Sequence, residues 1–260
     1  MQQATEREER EYLEIVKEKL QFALRRTDDR VRQFSDELRQ SKEYIHEHQS
    51  GMDEADMVAA GQSINRMAFT GESAVARRRK LIKLSASPYF GRIDFESAGE
   101  KTIAYIGIYT FTDETERANL IYDWRAPISS MFYDFEFGEA WYKTPSGKIN
   151  GSIELKRQYK IRDGAMEYMI ENGVNIHDEV LQKELSKSSD DKMKNIVATI
   201  QRDQNAVIRN ETTPVMIIQG VAGSGKTSIA LHRIAFLLYR YRDTIKAKDV
   251  RLNSPHKGVA

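Results

Sequence analysis

The sequence predicts an α/β chain in three parts: a long antiparallel N-terminal coiled-coil hairpin (residues 1–86), a β-rich middle segment (87–164) and an incomplete phosphate-loop domain (165–260). Three observations predict it. Apolar residues recur seven apart through the first fifty positions, aromatic and β-branched residues crowd together after Pro88, and a glycine-rich run ending in Gly225-Lys226-Thr227 follows a short apolar stretch. With 260 residues and 40% apolar content the chain can bury a core, which excludes disorder. Its 40 Lys+Arg and 39 Asp+Glu cancel, so any nucleic-acid contact must come from a local patch. The absence of cysteine excludes disulfides, thiolate zinc sites and cysteine nucleophiles, and fits a reducing compartment. Five scattered histidines give no metal cluster. The apolar run Ile234–Tyr239 is far short of the roughly 20 residues of a membrane span, and the charged N-terminus has no signal-peptide core, so a soluble, cytoplasmic chain without membrane contact is expected.

From about Thr5 to Gln49 there is neither proline nor glycine. One apolar series runs Leu13, Leu20, Thr27, Phe34, Ser41 and a second Leu24, Val31, Leu38, Ile45, three or four residues out of phase; together they make a coiled-coil seam on a helix about 65 Å long. The seam is imperfect, with Lys17 and Arg10 continuing the second series upstream. After Gln49-Ser50-Gly51 a return helix runs through Met57, Ala60, Ile64, Met67, Gly71, Ala74, Arg78 and Leu81. Its small residues Ala60, Gly61, Ala68, Gly71, Ala74 and Ala76 permit close approach, hence an antiparallel hairpin. An oligomerisation stalk or rigid spacer is the simplest use of such an element.

The tip, Ser50 to Asp56, carries Asp53, Glu54 and Asp56. Asp53 or Ser50 can serve as the N-cap of the return helix, which accounts for one acid at most. Carboxylates held about 45 Å or more from the body can reach into a narrow channel and approach Mg²⁺, although a solvated acidic turn would look the same.

Past Pro88, the segments 89–95, 102–111, 119–122, 128–137, 140–143 and 152–161 read as strands, separated by turn signals at Gly99-Glu100, Thr112-Asp113 and Pro145-Ser146-Gly147, with Gly164 closing the block. Helical stretches are expected over 178–186 and 192–210. Val215-Met216-Ile217-Ile218 reads as a buried parallel strand.

Gly220-Val221-Ala222-Gly223-Ser224-Gly225-Lys226-Thr227 is a complete G-x-x-x-x-G-K-[ST] loop, leading through Ser228 into an apolar helix. Glycines let backbone N–H groups turn inward around phosphates, and the helix N-terminus adds its positive end. The pattern nominates Gly220, Gly223, Ser224, Gly225, Lys226, Thr227 and Ser228 for ATP, with Lys226 on the β- and γ-phosphates and the Thr227 hydroxyl on Mg²⁺. Some twenty residues upstream, Gln204 can read adenine by accepting from the exocyclic amine and donating to a ring nitrogen; Gln201 is the alternative.

The stretches Tyr89-Phe90-Gly91-Arg92-Ile93-Asp94-Phe95, Tyr122-Asp123-Trp124-Arg125-Ala126-Pro127-Ile128, Ile196-Val197-Ala198-Thr199-Ile200-Gln201 and Gln219 to Arg233 resemble the HelD family, bacterial UvrD-like homologues of superfamily-one helicases that bind RNA polymerase. With the hairpin, the resemblance covers nearly the whole chain. It implies a RecA-like ATPase head and a hairpin that enters the polymerase secondary channel, where the tip acids would approach the catalytic Mg²⁺. Nucleotide turnover would be coupled to release and recycling of stalled polymerase, with DNA contact through the complete protein. The sequence reaches Ala260 without the Asp-Glu pair that would complete a metal site or the arginines of a second RecA-like domain, so an amino-terminal portion that binds nucleotide without turnover is expected. Two other readings stay open: a fragment of a UvrD-like DNA helicase or repair ATPase, and a coiled-coil interaction module with a vestigial phosphate loop. A DNA-guiding hairpin should be basic along its length, whereas this one mixes signs and is acidic at its tip.

Three further features have plain structural readings. Arg77-Arg78-Arg79-Lys80 is a solvated face before it is a phosphate contact. Asp123, Trp124 and Arg125 read as an ion pair bracing the loop before Pro127, and His232 as a packing residue.

Overall fold

The structure is a computed structural model that describes residues 2–48, 51–171, 202–213, 215–221 and 223–251. The described residues form two compact units. One draws on residues up to 90 with 107–121 and 159–170, the other on 91–106, 122–158 and those from 171 onward.

The first unit is built on the helical hairpin. Helix α1, Gln2–His48, and helix α2, Glu54–Ala86, have 47 and 33 residues, about 70 Å and 50 Å. Asp53 starts α2 from an extended backbone, its Oδ1 accepting from the Asp56 N–H at 2.8 Å, and Glu54 and Asp56 place two further carboxylates at the positive end of the helix. Ser87 and then Pro88 end it.

Burial along α1 is greater at the base than toward the tip. Leu13, Val16 and Leu20 are fully buried, as is Thr27, while Leu24, Val31, Phe34, Leu38 and Ile45 are half-buried. The seven-residue series therefore runs as expected from Leu20 outward, but at the base Val16 takes the inward position next to Lys17. The reason is that the base meets more than a partner helix. Tyr12 Oη donates to Leu120 O at 3.0 Å and Arg10 Nη1 to Met166 O at 3.0 Å, so the buried stripe widens beyond a two-helix seam. Gly71 faces Phe34, where an added Cβ would lie 3.8 Å from the Phe34 Cβ, but Gly61 has nothing within 4 Å and Ala76 is exposed, so the small residues do not all serve the seam.

The same unit holds strands β3 (Phe111–Thr112) and the start of β4 (Asn119–Asp123), with Phe111 opposite Ile121. Their connecting loop is tied to both helices by charge. Lys19 pairs with Asp113 and, at 3.0 Å, with Glu116, and Glu114 accepts from Arg26 at 2.8 Å and Arg77 at 2.5 Å. The hydrogen bond from Lys19, then that from the Thr115 N–H, holds the Asp113 carboxyl below the usual carboxylate range, and Lys19 is raised in turn.

The second unit contains strands β1 (Gly91–Ser97), β2 (Glu100–Gly107), β5 (Gly138–Thr144) and β6 (Gly147–Arg162) in the order β2-β1-β6-β5, all these pairs antiparallel. Gly91 pairs with Ile106 and with Gln158, and an added Cβ there would lie 2.6 Å from the Phe132 ring, which is why the Tyr-Phe-Gly segment needs its glycine.

Three sequence expectations are corrected. The stretch 128–137 is not a strand: Pro127 adopts helical dihedrals, a 3-10 turn spans Ile128–Ser130, and a single turn of helix, α3 (Met131–Asp134), follows. Met131, Phe132 and Tyr133 are all buried in succession, which an alternating strand cannot do. Gly164 does not close the β block, because with Asp163 (φ +50°) it forms the left-handed turn (φ +74° at Gly164) between β6 and a further strand, β7 (Ala165–Glu171). Residues 215–218 form no strand, and Val215 and Ile217 are 76% and 89% exposed, so this apolar run is not the buried strand its composition suggests. The helix expected over 178–186 and most of that over 192–210 lie outside the described residues; helix α4, Arg202–Arg209, is the described part of the latter. Helix α5 spans Lys226–Arg240.

Candidate nucleotide-binding site

The glycine-rich loop reaches α5 through two left-handed residues, Gly223 (φ +82°) and Gly225 (φ +80°), the latter at the N-cap position. No side chain caps α5 and its first turn carries no acid, so its leading N–H groups are left for an anion. Lys226 Nζ donates to Gly220 O at 2.9 Å, Val221 O at 2.6 Å and Ser224 Oγ at 3.3 Å, which holds the ammonium over the loop. Thr227 is exposed and Ser228 half-buried. The donor set fits a polyphosphate, with the lysine exchanging neutral carbonyls for phosphate oxygens. No group of three or more metal-ligating acids, histidines or cysteines exists among the described residues, so Thr227 would be one protein ligand on a Mg²⁺ otherwise held by phosphates and water.

Gln204 sits half-buried on α4, which packs along α5; Arg233 Nη1 donates to Val207 O at 2.7 Å. Gln201 lies outside the described residues. The structure thus gathers Gly220, Gly223, Ser224, Gly225, Lys226, Thr227 and Ser228 at one helix end and puts Gln204 on the helix beside it. Asp53, Glu54 and Asp56 belong to the other unit, exposed at the start of α2, Asp53 engaged as the cap.

Behind α4 and α5 stands a cluster built on the expected Asp123–Arg125 pair and the expected packing of His232, joined by Asn205 and Arg209, which sequence reasoning missed. Asp123 takes a bidentate grip from Arg125, Nε at 2.8 Å and Nη2 at 2.6 Å, and its carbonyl accepts from Ser129 Oγ at 2.7 Å, which braces the turn before α3. Above this turn lies Arg209 of α4, largely buried, donating to Trp124 O, to Arg125 O at 3.4 Å and to Asn205 Oδ1 at 2.9 Å. Asn205 is fully buried and donates to Asp134 Oδ1 at 2.6 Å. Burial lowers the Arg209 pKa from its ordinary value, with nearby Tyr133, Asp134 and Asp123 opposing that shift. From α5, His232 stacks edge-on against Trp124 at 5.5 Å while its Nδ1 pairs with Ser228 O at 2.7 Å, and Tyr239 lies 4.7 Å under the Arg125 guanidinium. For Asn205 and Arg209 the sequence signal was their spacing of four, which is common on solvated helices.

Of the basic run, Arg77 and Arg78 are paired with Glu114 and Asp28 and Lys80 lies over Tyr109, so three of its four cations serve the hairpin's own unit.

The chain joins a helical hairpin, a β-rich segment and a glycine-lysine loop that opens a helix. The sequence model of the family described as "DNA helicase IV HelD, N-terminal domain" matches residues 6–204, well over half of the chain, and the chain belongs to that family as a HelD N-terminal portion. The match ends ahead of the phosphate loop. Comparison with curated proteins finds no match. Among the described residues no helix is long and apolar enough to cross a membrane.

Proposed function

We propose that this chain binds Mg·ATP at the N-terminus of α5, as the start of a RecA-like domain. The observation that carries the reading is the uncapped α5 N-terminus behind Gly223 and Gly225, with Lys226 poised over the loop. Backbone N–H groups and Lys226 would hold the phosphates, Thr227 the Mg²⁺, and Gln204 the adenine edge. Gln204→Ala should erase a preference for ATP over GTP while leaving phosphate affinity. Equal preference in both proteins would remove Gln204 from the site.

The hairpin of residues 1–86 is, on this reading, a coiled-coil arm that inserts in the secondary channel of bacterial RNA polymerase and promotes its release and recycling. Support comes from the family and from the tip, where Glu54 and Asp56 stand exposed beside the capping Asp53. Asn keeps the capping geometry, so Asp53→Asn, Glu54→Gln and Asp56→Asn together remove charge without melting α2. The triple variant should lose most of its effect on nucleotide addition by purified polymerase. A variant that acts like the parent would leave the arm as an anchor only.

A further inference from the structure

Arg209 is an unusual cation, largely withdrawn from solvent. Its hydrogen bonds go to two main-chain carbonyls and an amide rather than to a carboxylate, although Asp123 and Asp134 stand within electrostatic reach. A buried guanidinium kept only for stability gains most from a bidentate acid, as Arg125 has in Asp123. Neutral acceptors fixed in the backbone offer something else, namely a defined position. Trp124 O and Arg125 O belong to a turn already locked by the Asp123–Arg125 pair and by Ser129, so the fork of Arg209 sets the height and rotation of α4 against a rigid reference. Asn205, four residues earlier, adds a second fixed point on Asp134. Gln204 is the residue next to Asn205, and the turn that carries Trp124 also meets His232 and Tyr239 on α5, the helix whose N-terminus holds the phosphate loop. One turn of chain therefore references both helices.

We propose that Arg209 and Asn205 are positioning residues for base recognition, holding α4 so that Gln204 meets the adenine of a nucleotide whose phosphates sit on the α5 loop. The inference rests on the nucleotide reading above and adds to it. The clasp acts on the base and not on the phosphates: Arg209 also lies over the Phe236 ring of α5 at 5.3 Å, but every hydrogen bond of Arg209 and Asn205 goes to α4 or the 124–134 turn and none to the loop 220–227.

The test titrates the whole chain, in Mg²⁺, with ATP, GTP and inorganic tripolyphosphate. The variants are Arg209→Lys, which keeps charge but loses the fork, and Asn205→Asp, which sets a carboxylate against Asp134. Each should weaken ATP about tenfold or more, bring the ATP:GTP ratio toward one and leave tripolyphosphate within about twofold. Retained tripolyphosphate binding also shows that the loop is still folded. In a double variant with Gln204→Ala, Arg209→Lys should cost no further ATP affinity, because it acts through Gln204. ATP and tripolyphosphate falling together, additive losses in the double variant, or unchanged ATP affinity would each overturn the proposal. A wild-type chain that binds neither ATP nor tripolyphosphate would instead overturn the nucleotide reading on which it rests.

Discussion

The two units are each stapled by arginines, and the staples work by opposite physics. In the hairpin unit Arg26 and Arg77 grip Glu114 with all three side chains about half exposed, an arrangement that gains little from charge in water and is screened by salt. In the other unit Arg209 is largely buried, spends its donors on carbonyls and an amide, and has little solvent to fall back on. An exposed staple can open at small cost and lets a loop follow a moving helix. A buried one fixes a geometry and fails as a whole.

The two tryptophans, Trp124 and Trp141, both lie in the second unit, so their fluorescence follows that unit while far-ultraviolet dichroism is dominated by α1 and α2. The largest effect is expected from Arg209→Ala. It leaves Trp124 O, Arg125 O and the Asn205 amide without their donor, and should cost about 3–5 kcal/mol, read as an early urea transition in tryptophan fluorescence. A shift as small as that of an exposed pair would erase the contrast between the staples. Next comes Leu20→Ala at the fully buried base of the hairpin, about 2–5 kcal/mol by dichroism, against about 1 kcal/mol for the same change at half-buried Leu38. Equal losses would mean that the arm is packed uniformly along its length.

Acid should separate the units less sharply, because each has a depressed carboxylate. Asp113 is held down first by Lys19. At Asp94 burial pushes the pKa up, but Arg92 and Lys101 outweigh it and leave it lowered. A carboxylate with a lowered folded pKa adds stability above the unfolded value, near 4, and loses it as pH falls through the folded one. Urea midpoints should therefore decline below about pH 4, and Asp113→Asn should flatten that decline in the dichroism signal. Smaller still is Glu114→Ala, about 0.2–1 kcal/mol, vanishing in 1 M salt. The smallest change is Tyr133→Phe. The buried Tyr133 hydroxyl has no hydrogen-bond partner beside Arg209, so its removal should leave the fluorescence midpoint unchanged or slightly raised. A clear loss would show that the hydroxyl belongs to the clasp.

What was legible in the sequence follows the same division. The hairpin could be read because packing of one helix on another imposes a period, and Leu20, Thr27 and Phe34 keep it. Val16 escaped because the base of α1 also meets Leu120 and Met166, contacts from distant chain that no helical period records. The turn into α5 was legible because glycines at positive φ ahead of a helix are a local requirement, met at Gly223 and Gly225. The helical turn at 131–134 was hidden by apolar residues that suit a strand equally well, and was decided by Pro127 and the Ser129 hydroxyl. The Arg209 clasp was not legible, since carbonyl acceptors belong to every residue and leave no signature in side-chain sequence.

The central claim, that the α5 N-terminus is a nucleotide site, is tested most directly by calorimetric titration of the chain with Mg·ATP beside Lys226→Ala. The account predicts saturable one-to-one binding by the wild type and none by Lys226→Ala at the same concentrations, with helical dichroism unchanged between the two. Equal binding by both proteins, or no binding by the wild type, would contradict it.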